Sequence, residues 1–438
     1  MTSAEVYLWG TRIGVVILRD QQQYAEFEYT PEFTKSGIEL SPIVMPLKEG
    51  KVYKFPNLSQ ESFLGLPGLL SDSLPDSFGQ AIISAWLVKQ GRGMGSLNAV
   101  ERLCYTGSRG MGALEYVPSM EEISGVNERI YVDSLVKLAS EIVENRENIA
   151  SKFKTNKKDE NAFAQIMQIG TSAGGARAKA IIGWNKKTGE VRSGQIPLGE
   201  DFNYYLLKFD GINKNRDKES PDGEGYTKIE YAYYLMAKAA KIEMSACELL
   251  HENGLNHFVT KRFDREGSGK KLHMQSLGAI AHYDYQIDGA YSYEHAFMVM
   301  RILGLDNLAK MQLLRRMIFN VYAMNHDDHV KNISFLMNRT GIWTLAPAYD
   351  LTYSYNPDGR WTSQHQMTIN GKRKDITKED IFACAENVGI KKLIAKEMIQ
   401  EVVKAISRWK EFATLAEVEE EKIRFISKIT KDRCNHVF

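Results

Sequence analysis

Cysteine is scarce in this chain: Cys104, Cys247, Cys384 and Cys434 are the four among 438 residues, and no two share a CxxC spacing. That scarcity argues against a disulfide framework and a cysteine zinc finger, and it makes a reducing cytoplasm the expected location. Excess charge is also lacking, because 56 basic against 55 acidic residues leave a formal net charge of +1. Any polyanion must therefore be met by a local patch. No apolar run approaches the length of a membrane span, and the opening MTSAEVYLWGTRIG has neither the basic nor the apolar region of a signal peptide. Internal repeats, low-complexity tracts, a GxGxxG fingerprint and a Walker A loop are absent too. What remains is a chain long enough for two or three domains with a sizeable core, needing no disulfide or metal for stability.

The organisation reads as α+β. Short β-rich pieces, VYLWG, IGVVIL and YAEFEY, alternate with turn formers around Gly10 and Asp20 and predict an antiparallel meander. SLPDSFGQAIISAWLVKQG predicts a helix capped at Asp76 or Ser77 and ended by Gly91, and ALEYVP predicts a further strand. These make an N-terminal α/β module, residues 1–125. A periodic helix, YVDSLVKLASEIVENRENI, and a lysine-rich connector lead into a second part, residues 126–270. It carries a glycine-rich turn, the strands NYYLLKFDG and HFVTKRFDR, and between them the helix TKIEYAYYLMAKAAKI. From 271 to 438 the pattern is almost wholly helical, closing on two helices at 391–413 and 415–432.

Chemistry concentrates in NHDDHVKN, residues 325–332, set between an apolar helix, MQLLRRMIFNVYAM, and an apolar strand, ISFLMN. Polar groups at such a junction need partners or a ligand, since each one buried and unpaired costs roughly 1–3 kcal/mol. Asp327 and Asn332 reproduce the D-x-x-x-x-N spacing of a kinase catalytic loop, and Asp350 follows in LAPAYD as a second oxygen ligand for a hard cation. Upstream, GTSAGGARAK at 170–179 has the glycines and basic residues to cradle phosphates. Lys208 lies on an apolar strand, and Glu230 near the start of the next helix is placed to reach back to it.

Each piece has a plainer reading. Lys208 snorkels at a strand end, Glu230 favours a helix N-terminus, and the glycine-rich stretch is a hairpin turn. His326 and His329, with Asp327 or Asp350, alternatively read as the zinc or iron site of a hydrolase, although no third histidine or cysteine lies near in sequence. The histidines of HMQSLGAIAHYDYQIDGAYSYEH read as packing, and Lys271, Lys391 and Lys392 as surface charges.

Taken together, TSAGGARAK, YYLLKFD, KIEYAYYLMA, KRFDR, DDHVKN and LAPAYD, with LLSDSLPDSFG near the start, make the sequence resemble the HipA toxins, serine/threonine kinases of bacterial toxin–antitoxin modules. The resemblance covers nearly the whole chain. It implies an N-terminal module, a kinase-like small lobe with a mixed or antiparallel sheet, and an all-helical large lobe. It also implies ATP and Mg²⁺ as cofactors, with Asp327 as the catalytic aspartate, Asn332 and Asp350 as metal ligands, and Lys208 as the phosphate lysine. Lys331 and His329 fall in the same loop, and Glu230 supports Lys208. Ser172, Ala173 and Gly174 belong to the glycine-rich loop, Ser172 being the serine that such kinases phosphorylate on themselves. Lys261 and Phe263 match the adenine hinge, and Asp264 a ribose contact. The implied partners are a helix-turn-helix antitoxin of HipB type, DNA only through that antitoxin, and an aminoacyl-tRNA synthetase as protein substrate. Asp328 sets a second carboxylate beside Asp327, which leaves two candidates for the catalytic acid, and the five-residue spacing to Asn332 favours Asp327. A non-catalytic pseudokinase in a repressor complex is the remaining alternative.

Overall fold

A computed structural model describes residues 1–93, 95–119, 128–144, 165–167, 169–170, 177–212, 225–267 and 269–435. The chain divides into two compact units. The first takes in residues 1–224, 250–275 and 336–342; the second takes in 225–249, 276–335 and 343–438.

The first unit opens with the expected meander. Strands β1 (Thr2–Leu8), β2 (Thr11–Leu18), β3 (Glu26–Tyr29) and β4 (Val52–Lys54) are joined by β5 (Leu114–Val117), in the order β4-β3-β2-β1-β5. Leu8 pairs with Thr11, and the two residues between them, Trp9 and Gly10, have φ of 51° and 82°. That is the signature of a type I′ hairpin turn, whose twist matches the strands it joins. Gly14 on β2 has no room for a side chain, because a Cβ there would sit 2.5 Å from the Glu28 carbonyl oxygen and from the Phe27 ring.

A second sheet is built from β6 (Lys179–Asn185), β7 (Glu190–Ser193), β8 (Asn203–Lys208), β9 (Cys247–Glu252) and β10 (Leu255–Lys261), in the order β7-β6-β8-β10-β9. The Ser77–Lys89 helix is capped as expected, the Asp76 side chain accepting the Gly79 N–H. Its face packs with the Val132–Glu144 helix against this sheet in one core that includes Phe78, Ile82, Leu135, Ile182, Leu207 and Val259. The packing thus runs through the boundary expected between residues 125 and 126. Asp76 also holds Lys179, the first residue of β6, in a buried 2.8 Å ion pair. Two such charges leave water at several kcal/mol each, so the pair persists only through its close geometry.

The second unit is predominantly helical. It contains Tyr226–Ala239, Tyr293–Ile302, Asn307–Tyr322, Lys378–Asn387, Lys392–Ile406, Trp409–Leu415 and Glu420–Asn435. Three expectations are corrected. The helix expected at 391–413 breaks after Ile406 and restarts at Trp409, with Arg408 at its N-terminus in a non-helical backbone conformation. Residues 351–377, expected to continue the helical pattern, contain no helix; NPDGR and NGKRKD are turn-forming sequences. Lys271, expected as a plain surface charge, instead donates to Glu115 and to the Ser108 carbonyl within the first unit. Among the described residues no helix is long and apolar enough to cross a membrane.

Candidate active site

The catalytic-loop candidate begins where the Asn307–Tyr322 helix ends. Asp306 caps the helix by accepting the Ala309 N–H at 2.8 Å, and Leu313, Leu314, Met317, Ile318 and Phe319 are buried. Met324 then takes a φ of 59°, and the Asn325 N–H donates back to the Asn320 carbonyl at 3.0 Å. This is a Schellman termination with methionine where glycine is usual. It turns the chain sharply into residues 325–332.

The two adjacent acids then part. Asp328 is buried: its Oδ2 accepts the Tyr293 hydroxyl at 2.9 Å and stands 3.0 Å from His365 Nδ1, while its Oδ1 accepts the Gln366 N–H at 2.8 Å. Burial works to raise its pKa, but the His365 charge and these hydrogen bonds outweigh it and hold the carboxyl below its ordinary range. Asp327 points elsewhere: its side chain is 44% exposed, with His329 Nε2 3.8 Å away. Its backbone is fixed instead, the N–H donating to Ser354 Oγ at 2.9 Å and the carbonyl accepting Asn332 Nδ2 at 2.7 Å. Of the two, Asp327 is the carboxylate exposed at the surface.

A short 3₁₀ turn, Val330–Asn332, follows, in which the Asn332 N–H returns to the His329 carbonyl at 2.9 Å. Lys331 Nζ lies 4.7 Å from the Tyr285 ring centroid, and that ring lies 5.8 Å from the imidazole of His329. Tyr349 donates to the Lys331 carbonyl at 2.6 Å, setting the LAPAYD segment beside the loop. Asp350 has a φ of 52°, a left-handed conformation that aspartate tolerates better than most residues. One small cavity is lined by Asn325, Asp328, His329, Asn332, Tyr349 and Asp350, among others. Asn332, whose Nδ2 is turned to the backbone, and Asp350 both line that cavity and both carry side-chain oxygens, the kind of donor a Mg²⁺ ion prefers.

The histidine-metal alternative loses its geometry here. His326 points its Nδ1 to the Thr362 carbonyl at 3.0 Å and packs against His365, with ring centroids 4.2 Å apart. Burial, then His365, push its pKa down to about 3. With Asp328 turned inward as well, the side chains of His326 to His329 do not converge. Among the described residues no three His, Cys, Asp or Glu side chains gather as a metal site.

In the first unit, Lys208 ends β8, its Cα opposite those of Lys179 on β6 and Phe258 on β10. Lys261 is exposed and Phe263 half-buried. Asp264 is corrected: it is wholly buried, accepting from Arg262 Nε and Nη2, Arg265 Nη1 and the Gly112 N–H at 2.7–2.8 Å. Three of those donors meet Oδ2 and one meets Oδ1, and with no exposed surface the carboxylate is not presented to a ribose. Burial works to raise its pKa, but the two guanidinium groups win and hold it well below the usual carboxylate range. Glu230 is buried on the Tyr226–Ala239 helix of the second unit. Ser172, Ala173 and Gly174 lie outside the described residues. Sequence reasoning missed Tyr293, Asn320, Ser354 and His365; Asn320, a lone amide within the apolar run MIFNVY, was the one visible signal.

Over its whole length the fold has a solved counterpart. It matches HipA in the Shewanella oneidensis MR-1 complex of the toxin–antitoxin system HipA, HipB and its operator DNA, with a TM-score of 0.63 and 16% identity, covering 99% of this chain and 96% of that one. The model of the HipA N-terminal domain matches residues 4–117, and that of the HipA-like C-terminal domain matches residues 171–410. The chain belongs to the HipA family. Two proteins of Sinorhizobium fredii (strain NBRC 101917 / NGR234) are similar in sequence. "Putative kinase Y4mE" is 29% identical over 182 residues, 38% of this chain, and "Putative kinase Y4dM" is 24% identical over 180 residues, 40% of this chain. The similar stretch spans 42% of each relative's length.

Proposed function

We propose that the protein is an ATP- and Mg²⁺-dependent serine/threonine protein kinase acting as a toxin in the cytoplasm. The observation that carries this reading is the presentation of Asp327: its peptide is held by Ser354 and Asn332 while its carboxylate stands outward beside His329. Such a carboxylate orients a substrate Ser or Thr hydroxyl and accepts its proton. Asn332 and Asp350 supply the oxygen donors for Mg²⁺, which when bound neutralises phosphate charge. The family pattern assigns Lys208 to the phosphates, Glu230 to a supporting role and Lys331 to the transferred group. The same pattern assigns Ser172, Ala173 and Gly174 to the nucleotide-binding loop and Lys261 and Phe263 to the adenine hinge. Catalysis of this kind is positioning and charge stabilisation, with little covalent chemistry for the protein to do. A HipB-like antitoxin is the expected partner, DNA is reached through it, and an aminoacyl-tRNA synthetase is the proposed target.

The purified protein incubated with MgATP should gain one phosphoryl group on Ser172 by mass spectrometry. Phosphorylation there adds about −1.5 to −2 charge beside other phosphates, enough to reorganise a loop and self-inactivate the enzyme. Asp327→Gln and Asp350→Asn should each abolish transfer while keeping the wild-type circular dichroism spectrum. A folded Asp327→Gln protein that labels at the wild-type rate overturns the assignment. A wild type that gains no phosphoryl group returns the protein to the pseudokinase reading.

A further inference from the structure

Ser354 lies four residues beyond Asp350 and is half-buried. Its Oγ accepts the Asp327 N–H at 2.9 Å and donates to Asn325 Oδ1 at 3.0 Å. On the other side of the same residue, Asn332 Nδ2 holds the Asp327 carbonyl at 2.7 Å. Both backbone polar groups of the candidate catalytic residue are therefore gripped by side chains, and its peptide planes cannot turn without breaking a bond.

The direction of the Ser354 hydroxyl is determined by what lies behind it. Asn325 Nδ2 donates to Asn320 Oδ1 at 2.9 Å, and Asn320 Nδ2 donates to the Tyr293 hydroxyl at 2.9 Å. Tyr293 in turn donates to the buried Asp328 carboxylate at 2.9 Å. Each amide in this chain points its nitrogen toward the charge, which leaves the Asn325 oxygen facing Ser354. The hydroxyl proton must go to that oxygen, so the hydroxyl lone pairs face the Asp327 N–H. A group that donates one way and accepts the other is required, and among small side chains a hydroxyl supplies it.

We propose that Ser354 is a positioning residue for phosphoryl transfer. It aims the Asp327 carboxylate and ties it to the segment that carries Asp350, so the proton-accepting group and the metal-binding oxygen are set by one stretch of chain. This inference rests on the kinase reading. A merely structural serine would satisfy the same two groups, but its loss would lower stability and leave turnover of the folded protein unchanged.

The test is the rate of single-turnover self-labelling from MgATP by the full chain carrying Ser354→Ala, Ser354→Thr or Ser354→Val, its limiting value at saturating ATP read as kcat and the ATP concentration at half that rate as KM. Ala and Val should lower kcat by about ten- to a hundredfold, the scale expected when a reacting group is misplaced by about an ångström, with KM little changed. Threonine, which keeps the hydroxyl, should restore most of the lost turnover. Threonine and valine are nearly isosteric, so that pair still isolates the hydroxyl if the alanine variant does not fold. Equal kcat for folded Thr and Val variants, on an active wild type, overturns the positioning role and leaves the kinase reading standing. A wild type that transfers no phosphoryl group overturns both.

Discussion

Asp264 in the first unit and Asp328 in the second are both carboxylates removed from water, yet they are stabilised by opposite means. Asp264 meets two guanidinium groups, Arg262 and Arg265, and one backbone N–H. Asp328 meets a tyrosine hydroxyl, a backbone N–H and one imidazole. The first arrangement offsets charge with permanent charge, because arginine does not deprotonate in proteins. The second relies on a hydroxyl, a backbone N–H and a single imidazole, with no arginine or lysine among these partners. A charge clamp suits a fixed joint in a strand turn, whereas a hydrogen-bond network transmits orientation, and the network is the arrangement that sits behind the candidate catalytic loop.

The comparison can be broken first at Asp264. Asp264→Asn leaves two buried arginines facing an uncharged amide, and removing one partner of a buried ion pair typically costs about 3–5 kcal/mol. Urea denaturation followed by circular dichroism should show a loss of that size. The acid limb sharpens the point. A carboxylate whose folded pKa is depressed contributes stability that is present above its unfolded pKa, about 3.9, and lost as pH falls toward the folded value. The wild type should therefore lose stability below about pH 4 more steeply than Asp264→Asn does. A variant with wild-type stability and an unchanged acid limb would show that the clamp contributes nothing.

The second prediction concerns His326, packed on the imidazole that serves Asp328. Burial, then His365, hold its folded pKa at about 3, against an unfolded value of about 6.5. The unfolded chain binds the extra proton between these values, so stability is full above about pH 6.5 and declines as pH falls toward 3. The decline amounts to a few kcal/mol in all. Replacing His326 by Gln should flatten the stability profile between pH 6.5 and 4, measured by thermal unfolding across a buffer series. An unchanged slope would mean the ring is protonated in the folded protein.

Local pattern made much of this legible before any coordinates. The meander, the helix capped at Asp76 and the apolar helix before residue 325 were visible because each is written in turn chemistry, capping and periodicity over a short stretch. The spacing of Asp327 to Asn332, five residues apart, was legible for the same reason. The roles of Asp328 and Asp264 were not, since they depend on partners as remote as Tyr293, His365 and Gly112. No period or motif announces a partner 152 residues away, as Gly112 is from Asp264. The irregular stretch at 351–377 hid its contribution too: Ser354, His365 and Gln366 look like ordinary loop residues until the fold folds them back onto the loop they anchor.

The smallest effect expected is the most discriminating. Asp328→Asn keeps the shape of the side chain and one carbonyl oxygen, so the Tyr293 hydroxyl or the Gln366 N–H retains an acceptor while the other oxygen's partners face an amide nitrogen. Losing part of a buried network in this way costs about 1–3 kcal/mol, less than the clamp. If Asp328 acts only through the network, the folded variant should keep measurable phosphoryl transfer, reduced through a looser Asp327, whereas Asp327→Gln should keep none and lose no stability beyond about 0.5 kcal/mol, as a half-exposed substitution should. Denaturation and a transfer assay on the same two proteins give the pair of readings. The opposite pattern, a stable and inactive Asp328→Asn beside an active Asp327→Gln, would exchange the two acids: the buried carboxylate would then be the reacting group, and the network around it would be the active site itself.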